Sequence, residues 1–380
     1  MKKPRVLVFI DWYHPGYRAG GPVRSLVNMV DHLRDRVDFH IVTRDTDYTM
    51  VEPYPGIEAD RWTTLPGGEQ VWYASRDRIT SGTWGKLIHE QEWDLVYING
   101  IYSRWFSIEP LRVLGRSAIP RVVAVRGMLA TGAMAHGNLK KRLFLTLART
   151  FDLYRNVRFQ ATNEEEREDI RKWMGRQAEV HLVPNLPRKL NVSNAPAREK
   201  EPGSLRLVSV ARIAVEKNTL LAIRSLAPLK GEVQFELYGP IYDQAYWHQC
   251  EAAIGELPPN IRVRHRGTIG PDEVPALLSS NHLLFMPSAG ENFGHTMLEA
   301  LSCGTPLLIS DRTPWKDLAD QQAGFDLPLD RVDRFSEVAQ RFIDMDQRAY
   351  DRYIRGAFTL AKRYLEDPTT VERTVQLLTP

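Results

Sequence analysis

Short, almost uninterrupted runs of Val, Ile and Leu recur along this chain, separated by segments with helical spacing, and the series starts twice. Such runs indicate strands that are buried on both faces, as in parallel sheets covered by helices. The runs of the first half are residues 6–10, 39–43, 95–99, 122–125, 157–162 and 180–184, and those of the second half are residues 205–210, 235–239, 261–264, 283–287 and 306–310. The sequence therefore predicts an α/β protein with two doubly wound, Rossmann-like domains.

Between the two series lies the segment PRKLNVSNAPAREKEPGS, which has three prolines and no apolar period. This composition is typical of an interdomain linker. We expect an N-terminal domain over residues 1–187, a linker over 188–203 and a C-terminal domain over 204–361. From about Val332 onward the pattern is helical. In doubly wound domains ligands bind at the carboxyl ends of the strands, and we expect the two domains to face a central cleft.

The composition excludes several classes of protein. With 43% hydrophobic residues, 26% charged residues and a net charge of +3, the 380-residue chain is too apolar and too near neutral to be disordered. It has no run of the roughly 18–20 apolar residues that a transmembrane helix needs. Cys250 and Cys303 are too few for a disulfide framework, and the N-terminal residues do not resemble a secretory signal. We therefore expect a cytoplasmic protein.

The charge is unevenly distributed, because residues 1–190 carry +7 and residues 191–380 carry −4. A basic half favours an anionic partner or surface. No zinc-finger spacing or aromatic RNA-binding signature accompanies the charge, so we expect no nucleic-acid partner.

Two glycines, Gly20 and Gly21, follow the first predicted strand and precede Pro22 and a helical pattern. Without side chains, they allow a ligand to approach the N–H groups of a helix N-terminus, where phosphate is favoured. The alternative is an ordinary strand-to-helix turn. The dinucleotide-binding and P-loop patterns are absent, which disfavours dehydrogenases and NTPases.

Two cations, Arg212 and Lys217, lie between the first strand and the first helix of the second domain. Arg with its fork of donors and Lys as a point charge suit a diphosphate at this sheet edge. The alternative is two solvated loop charges.

The segment SAGENFGHTMLEALSCGTP carries the most specific pattern. It places Glu291 in a glycine-flanked loop after a buried strand, and Glu299 inside the helix that follows. These carboxylates, with the N–H groups of the helix N-terminus, suit a sugar, a diphosphate and a ribose in sequence. The alternatives are a helix-terminal charge for Glu291 and a solvated helix face for Glu299. The residues expected to bind such a ligand are Gly20, Gly21, Gly239, Asn292, Phe293, Gly294 and Glu299.

Together these features resemble the group 1, or family 4, retaining glycosyltransferases of GT-B fold, and a bacterial branch of them that builds surface polysaccharides. The resemblance implies that Arg212 and Lys217 neutralise the donor diphosphate, that Glu291 contacts the donor sugar and that Glu299 binds the ribose. It places Gly20 and Gly21 near the phosphates and the acceptor. It also implies that a C-terminal helix, about residues 362–380, packs back on the first domain.

Many members of this family carry a His at the end of a middle strand of the first domain, whereas this chain has Arg126 there. Arg126 can contact an acceptor or sugar but cannot act as a base near neutral pH. A metal-dependent alternative would use Asp45-Thr46-Asp47, yet Asp344-Met345-Asp346 shows how easily such triplets arise. We expect no metal and no other cofactor.

Residues 136–159 have the pattern of a basic amphipathic helix. Leu143, Leu147 and Phe151 share a face. The cations around them are Lys140, Lys141, Arg142 and Arg149. One interpretation is peripheral binding to the anionic inner face of the cytoplasmic membrane. The other is a surface helix whose apolar stripe packs on the sheet.

The resemblance implies a metal-independent, retaining transferase of hexosyltransferase type, with Glu291, Arg212 and Lys217 as catalytic residues. It would use a nucleotide-sugar donor, with UDP-sugars ahead of GDP-sugars, and a saccharide or lipid-linked acceptor in exopolysaccharide, capsule or lipopolysaccharide assembly. Two alternatives stay open: a nucleotide-sugar epimerase or hydrolase on the same scaffold, and a degenerate protein that only binds nucleotide-sugar.

Overall fold

The computed structural model describes residues 3–115, 117–130, 133–134, 138–189 and 197–379. The chain divides into two compact units, the first made of residues 1–189 and 367–380 and the second of residues 190–366. Each unit is a parallel sheet with helices on its faces. This arrangement confirms the predicted pair of Rossmann-like α/β domains.

The described part of the first unit contains eight strands, joined in the order β3-β4-β2-β1-β5-β6-β7-β8. The strands are β1 Arg5–Phe9, β2 Asp38–Arg44, β3 Trp62–Thr64, β4 Gln70–Ala74, β5 Leu95–Asn99, β6 Arg121–Ala124, β7 Val157–Ala161 and β8 Glu179–Leu182. All pairings are parallel except that of β3 with β4. The helices described before the second unit are α1 Gly21–Leu33, α2 Ser81–His89, α3 Glu109–Leu114, α4 Asn138–Thr150 and α5 Glu164–Met174.

Successive side chains of β1 enter two different apolar cores. Leu7 and Phe9 pack in one core, and Val6 and Val8 in the other. All four are fully buried. Because both faces of the strand are covered, its sequence is apolar throughout, which is the pattern that the strand predictions used.

Among its described residues, the second unit contains six strands, all parallel, in the order β11-β10-β9-β12-β13-β14. The strands are β9 Ser204–Val210, β10 Glu232–Tyr238, β11 Ile261–His265, β12 Leu283–Met286, β13 Leu307–Ser310 and β14 Gly324–Leu327. The helices are α6 Thr219–Arg224, α7 Gln244–Gly255, α8 Val274–Ser280, α9 His295–Ser302, α10 Val332–Asp344 and α11 Gln347–Leu365. None of the helices in the described ranges is both long and apolar enough to cross a bilayer.

Residues 197–203, which we assigned to a linker, instead belong to the second unit. Arg198 is buried, and its guanidinium donates to Tyr350 Oη at 2.9 Å, to the carbonyl of Cys303 at 3.0 Å and to Thr305 Oγ1 at 3.0 Å. The polar composition of this segment suggested a solvated linker, but a buried cation with several acceptors anchors it instead.

The last helix, α12 Pro368–Leu378, is part of the first unit. Asp367 begins it by accepting a hydrogen bond from the N–H of Thr369 at 2.9 Å. An ion pair joins Glu372 of α12 to Arg36, just after α1, with Nη2–Oε2 at 3.1 Å. The return to the first unit therefore starts at residue 367 rather than at about 362, because α11 continues to Leu365.

Candidate active site

Two loops at the carboxyl edge of the second sheet are held together by backbone and side-chain hydrogen bonds. The loop after β9 contributes the carbonyl of Glu216, which accepts from the N–H of Ala289 at 2.8 Å. Asn218, in the left-handed region with φ 52°, donates from Nδ2 to the carbonyl of Pro287 at 3.0 Å. These bonds bring the loop after β9 against the loop after β12.

Lys217 and Glu291 meet where these loops join. Lys217 Nζ lies 2.5 Å from Glu291 Oε1, and their side chains are only 17% and 15% exposed. Ser288 Oγ donates to the same carboxylate oxygen at 2.9 Å. Sequence reasoning selected both charged residues and missed Ser288. Both contacts use Oε1, so Oε2 and the remaining donors of the ammonium group can turn to a ligand.

Arg212 follows β9, but its charge is engaged within its own loop. Its Nη2 lies 2.9 Å from Glu216 Oε1, and its guanidinium lies 5.3 Å from the centre of the Tyr242 ring. Both partners were missed at the sequence level. Glu216 lies four residues from Arg212, a spacing that could have suggested it. Tyr242 follows a different strand and carries no comparable signal.

The loop that contains Glu291 leads into the N-terminus of α9. Gly294 adopts a left-handed conformation with φ 75°. A Cβ atom at this position would lie 2.8 Å from Met297 Sδ and 3.2 Å from Trp315 Nε1. The same Trp315 Nε1 donates to the carbonyl of Phe293 at 2.9 Å. This turn is therefore fixed before any ligand arrives, and the partial positive charge of the α9 N-terminus lies beside the Glu291 loop.

Glu299 lies within α9, two residues after Met297, and is only 7% exposed. The alternative of a solvated helix face for Glu299 is therefore wrong. The half-buried Asn292 lies between Glu291 and Phe293, ahead of the same helix. The structure thus places Glu291, Asn292, Phe293, Gly294 and Glu299 along one loop and the helix that it enters.

Gly239 ends the strand β10 in a conformation with φ 144°. A Cβ atom there would lie 2.0 Å from the carbonyl oxygen of Ala211, in the loop that carries Arg212. Its N–H donates to the carbonyl of Gly267 at 2.7 Å. The requirement for glycine at this position therefore comes from the close approach of two loops at the sheet edge.

In the first unit, Gly20 and Gly21 begin α1 as predicted from Pro22. Gly20 has a positive φ of 77°, a conformation that favours glycine. Gly21 has no positive φ, and no atom lies within 4 Å of the position that a Cβ atom would take there. The backbone around Gly21 therefore leaves open space where a ligand can approach.

The triplet Asp45-Thr46-Asp47 supports this glycine loop. Asp47 Oδ2 accepts from the N–H of Tyr17 at 3.2 Å, and Oδ1 accepts from the N–H of Tyr48 at 2.7 Å. Burial raises the pKa of Asp45 above its ordinary value. In the described residues no group of three or more His, Cys, Asp or Glu side chains is arranged to hold a metal ion.

Arg126 lies at the carboxyl end of β6 with φ 58°. Its Nε donates to Asn99 Oδ1 at 2.7 Å, and its Nη2 donates to Tyr97 Oη at 2.8 Å. Its Nη1 donates to Asn185 Oδ1. The guanidinium thus ties together the ends of neighbouring strands, a role that the sequence did not reveal.

Asp11 was also missed, although it follows β1 directly. Its Oδ1 accepts from Ser103 Oγ at 2.9 Å and from Arg44 Nη2 at 3.1 Å. Burial raises the pKa of this carboxyl group, against the opposing effects of Ser103 and Arg44. Its place immediately after a buried strand and before the glycine loop was the available signal.

A cavity of about 530 Å³ lies elsewhere in the second unit. Its lining includes Glu199, Arg206 and Gln234. Arg206 and Gln234 lie near the amino ends of β9 and β10. Because ligands of such sheets bind at the carboxyl ends, we assign the site to the Lys217–Glu291 region.

Comparison with known protein families gives a match within each unit. Residues 193–358 match the family model of glycosyl transferases group 1, and residues 20–186 match that of the glycosyl transferase 4-like domain. These two matches cover most of both units. The chain belongs to the group 1 glycosyltransferases of GT-B fold.

Among individual proteins, the chain is 32% identical over 98 residues to a 2-deoxystreptamine glucosyltransferase from Streptomyces kanamyceticus, a match that covers 26% of this chain and 25% of that protein. The structure of Anabaena HepE in complex with UDP and glucose superposes with a TM-score of 0.74 at 17% identity, covering 99% of each chain. Sucrose-phosphate synthase from Thermosynechococcus elongatus gives 0.73 at 16% identity, covering 99% of this chain and 98% of that chain. These solved structures share the fold of this chain.

Proposed function

We propose that this protein is a retaining, metal-independent glycosyltransferase of hexosyltransferase type. Its donor is a nucleoside diphosphate-sugar, with UDP-sugars favoured over GDP-sugars. Its acceptor is a saccharide or a lipid-linked saccharide of bacterial exopolysaccharide, capsule or lipopolysaccharide. Family membership and the carboxyl-edge site support the reaction class. The UDP and glucose bound to HepE and the glucosyl transfer named for the Streptomyces relative support the donor class.

The contact between Lys217 and Glu291 is the observation that carries the proposal. One cation and one carboxylate, both largely buried, lie beside a helix N-terminus at the edge where Rossmann-like domains bind ligands. The ammonium group and the N–H groups suit phosphate oxygens, whereas the carboxylate suits sugar hydroxyls. A nucleotide-sugar contains both kinds of group in adjacent positions.

In the proposed reaction, the bond between the sugar C1 and the diphosphate oxygen breaks while the acceptor oxygen bonds to C1 on the same face. The acceptor proton passes to the leaving phosphate, so no protein base is needed. Negative charge grows on the diphosphate as the bond breaks. Lys217, Arg212 and the N-terminus of α9 stabilise that charge. Each charge-assisted hydrogen bond contributes roughly 1.5–3 kcal/mol.

The remaining residues orient the donor. Glu291 Oε2 accepts from a hydroxyl of the transferred sugar, while Oε1 stays with Lys217 and Ser288. Glu299 binds the ribose hydroxyls, and the N–H groups of Asn292, Phe293 and Gly294 face the phosphates. Gly239 lets the loop after β10 lie close against the loop that carries Arg212.

The first unit supplies the acceptor side of the proposal. The open backbone at Gly20 and Gly21 lets the acceptor approach the start of α1. Arg126 occupies the position where many members of the family carry a His. Its hydrogen bonds join the ends of strands, and it takes no part in proton transfer. A mechanism in which the leaving phosphate receives the proton is compatible with an arginine at this position.

Ligand-dependent melting of the purified protein tests the donor class. UDP, GDP, ADP, CMP and NAD are each added without metal and again with Mn²⁺. We expect UDP to raise the melting temperature equally in both conditions, because a ligand at one hundred times its Kd adds about 2.7 kcal/mol of stability. Stabilisation by NAD alone, or only with Mn²⁺, contradicts the proposed site.

Two variants make the test specific. Glu299→Gln keeps the side-chain volume and should shrink the UDP effect, whereas Glu251→Gln on the exposed face of α7 should not change it. Incubation with UDP-glucose and acceptor pools then separates the reaction classes. Transfer yields a new glycoside with the donor's anomeric configuration, whereas release of free sugar alone identifies a hydrolase.

A further inference from the structure

Helix α4 exposes a row of four large apolar side chains to solvent. Leu139, Leu143, Leu147 and Phe151 are 83%, 59%, 45% and 78% exposed. They are spaced four residues apart, so they lie along one face. Phe151 follows the helix but continues its turn, since its N–H donates to the carbonyl of Leu147 at 2.9 Å. The described residues contain ten exposed large hydrophobic side chains, and four of them form this row.

The opposite face of α4 already fastens the helix to the first unit. Leu145 and Ala148 are buried, and the Phe144 ring lies 5.7 Å from the Tyr102 ring. The side chains of the exposed row therefore take no part in packing α4 against the first unit. The interpretation in which Leu143, Leu147 and Phe151 pack on the sheet is wrong. The helix also ends earlier than predicted, at Thr150 rather than at residue 159, and residues 136–137 of the prediction lie outside the described residues.

The charges on the helix itself have one sign, and the exposed Asp152 follows Phe151 beyond its end. Lys140, Arg142 and Arg149 are exposed, and the helix sequence NLKKRLFLTLART contains no acidic residue. Lys141 does not belong to this surface. Its Nζ donates to the carbonyl of Ala133 and lies 5.6 Å from the centre of the Tyr102 ring. Three of the four cations singled out in the sequence therefore flank the apolar row.

We propose that this surface, formed by Leu139, Leu143, Leu147, Phe151, Lys140, Arg142 and Arg149, seats the first unit on an anionic lipid bilayer. The apolar row enters the boundary between headgroups and acyl chains, while the three cations contact anionic headgroups. A helix lying in this way needs an apolar face bordered by basic residues, which is what α4 presents.

Charge complementarity selects lipid over a second copy of this chain. In a symmetric dimer through this surface, each copy would bring its cations towards the same cations of the other copy. A bilayer with anionic lipids instead supplies apolar chains and negative charge together. This inference concerns the first unit and does not depend on the donor chemistry of the second.

Co-sedimentation with vesicles tests the proposal. The 380-residue protein is mixed with vesicles of phosphatidylcholine alone or with 30 mol% phosphatidylglycerol, chosen as a representative anionic lipid. We expect binding to the anionic vesicles that weakens as salt is raised. Changing Lys140, Arg142 and Arg149 to Gln should weaken it about a hundredfold, since each cation near the surface is worth roughly a factor of five. Changing the four apolar residues to Gln should abolish it.

Matched controls remove the same groups elsewhere. Arg76, Arg78 and Lys86 are exposed in the same unit, and changing them to Gln removes the same charge without touching α4. Val51→Gln with Val332→Gln removes exposed apolar groups elsewhere in the chain. Both controls should bind like the unchanged protein, and all variants should keep its melting temperature and its response to UDP.

Three outcomes overturn the proposal: no binding to anionic vesicles, equal loss in the matched controls, or a dimer in sedimentation velocity that the apolar variant dissociates. An absent response to UDP in every variant, with vesicle binding intact, would instead count against the donor site alone.

Discussion

Lys217 and Glu291 are 74 positions apart in the chain, yet their charged groups form a 2.5 Å contact. The contact exists because β9 and β12 are neighbours in the second sheet, with Leu207 opposite Leu283. Loops that follow adjacent parallel strands emerge at the same edge, and each of these loops supplies one partner. The contact therefore depends on the order of the strands in the sheet and not on residues that are close together in the sequence.

Replacing Lys217 with Gln should lower the rate of sugar transfer about tenfold to a hundredfold, because the growing diphosphate charge loses one charge-assisted donor. Single-turnover kinetics with saturating donor measure this effect on the chemical step. Lys230→Gln on the second unit is the control and should leave the rate unchanged. An equal rate in the Lys217→Gln protein would show that Lys217 serves only to hold Glu291.

Gly294→Ala should lower the free energy of unfolding by about 1–2 kcal/mol, since alanine is strained at a positive φ. The new Cβ atom would also press on Met297 and Trp315. Urea denaturation followed by tryptophan fluorescence measures the change. Gly255→Ala, at the end of α7 with no atom within 4 Å of its Cβ, is the matched control. It should be neutral or stabilising by about 0.5–1 kcal/mol.

Gly21→Ala should weaken substrate binding without lowering the stability of the fold. Its Cβ atom meets nothing within 4 Å and the residue has no positive φ, so the melting temperature should be unchanged or slightly higher. If substrate approaches this backbone, KM for donor or acceptor should rise at least tenfold. Steady-state kinetics with each substrate varied in turn provide the measurement. Unchanged kinetics would identify the loop as an ordinary turn into α1.

Stability should fall between pH 6.5 and about 3 because of His282. Burial, and next the charge of Arg206, lower the pKa of His282 from 6.5 to about 3. The ring is neutral in the folded protein, with Nδ1 accepting from the N–H of Arg206 at 3.0 Å and Nε2 bonded to the carbonyl of Glu199 at 3.0 Å. In this window the unfolded chain binds the extra proton, so the stabilising contribution is complete above pH 6.5 and is lost as the pH falls.

The slope attributable to this histidine is at most about 1.4 kcal/mol per pH unit. Urea denaturation from pH 7.5 to 4.5 measures it, with His282→Gln as the comparison because an amide can accept and donate without titrating. The variant should have a flatter pH dependence than the unchanged protein. Parallel curves for the two proteins would assign the acid sensitivity to other groups.

Much of the fold follows from the sequence because a strand buried on both faces must be apolar throughout. The run at residues 6–10 shows this directly. The strands β3 and β14 gave no such run, since each is short and only partly buried. The aromatic strand β4 was also missed.

The sequence allows the types of residue in the site to be predicted, but not the contacts between them. Lys217 and Glu291 could be selected because a cation and a carboxylate each follow a buried strand. Their pairing requires the strand order, which no local pattern contains. Ser288 contacts Glu291 within one loop, whereas Tyr242 contacts Arg212 from another segment of the chain. Arg126 was predicted to contact a ligand, whereas its hydrogen bonds join strand ends.

The anchoring of Arg198 determines how these two units could be exchanged between related enzymes. A chimaera joined at residue 204, where the first strand of the second sheet begins, would separate this guanidinium from Tyr350, Cys303 and Thr305. The buried acceptors would then need a new donor from the foreign partner. A transplant that carries residues 197–366 keeps those bonds, and it leaves α12 with the first unit to which it belongs.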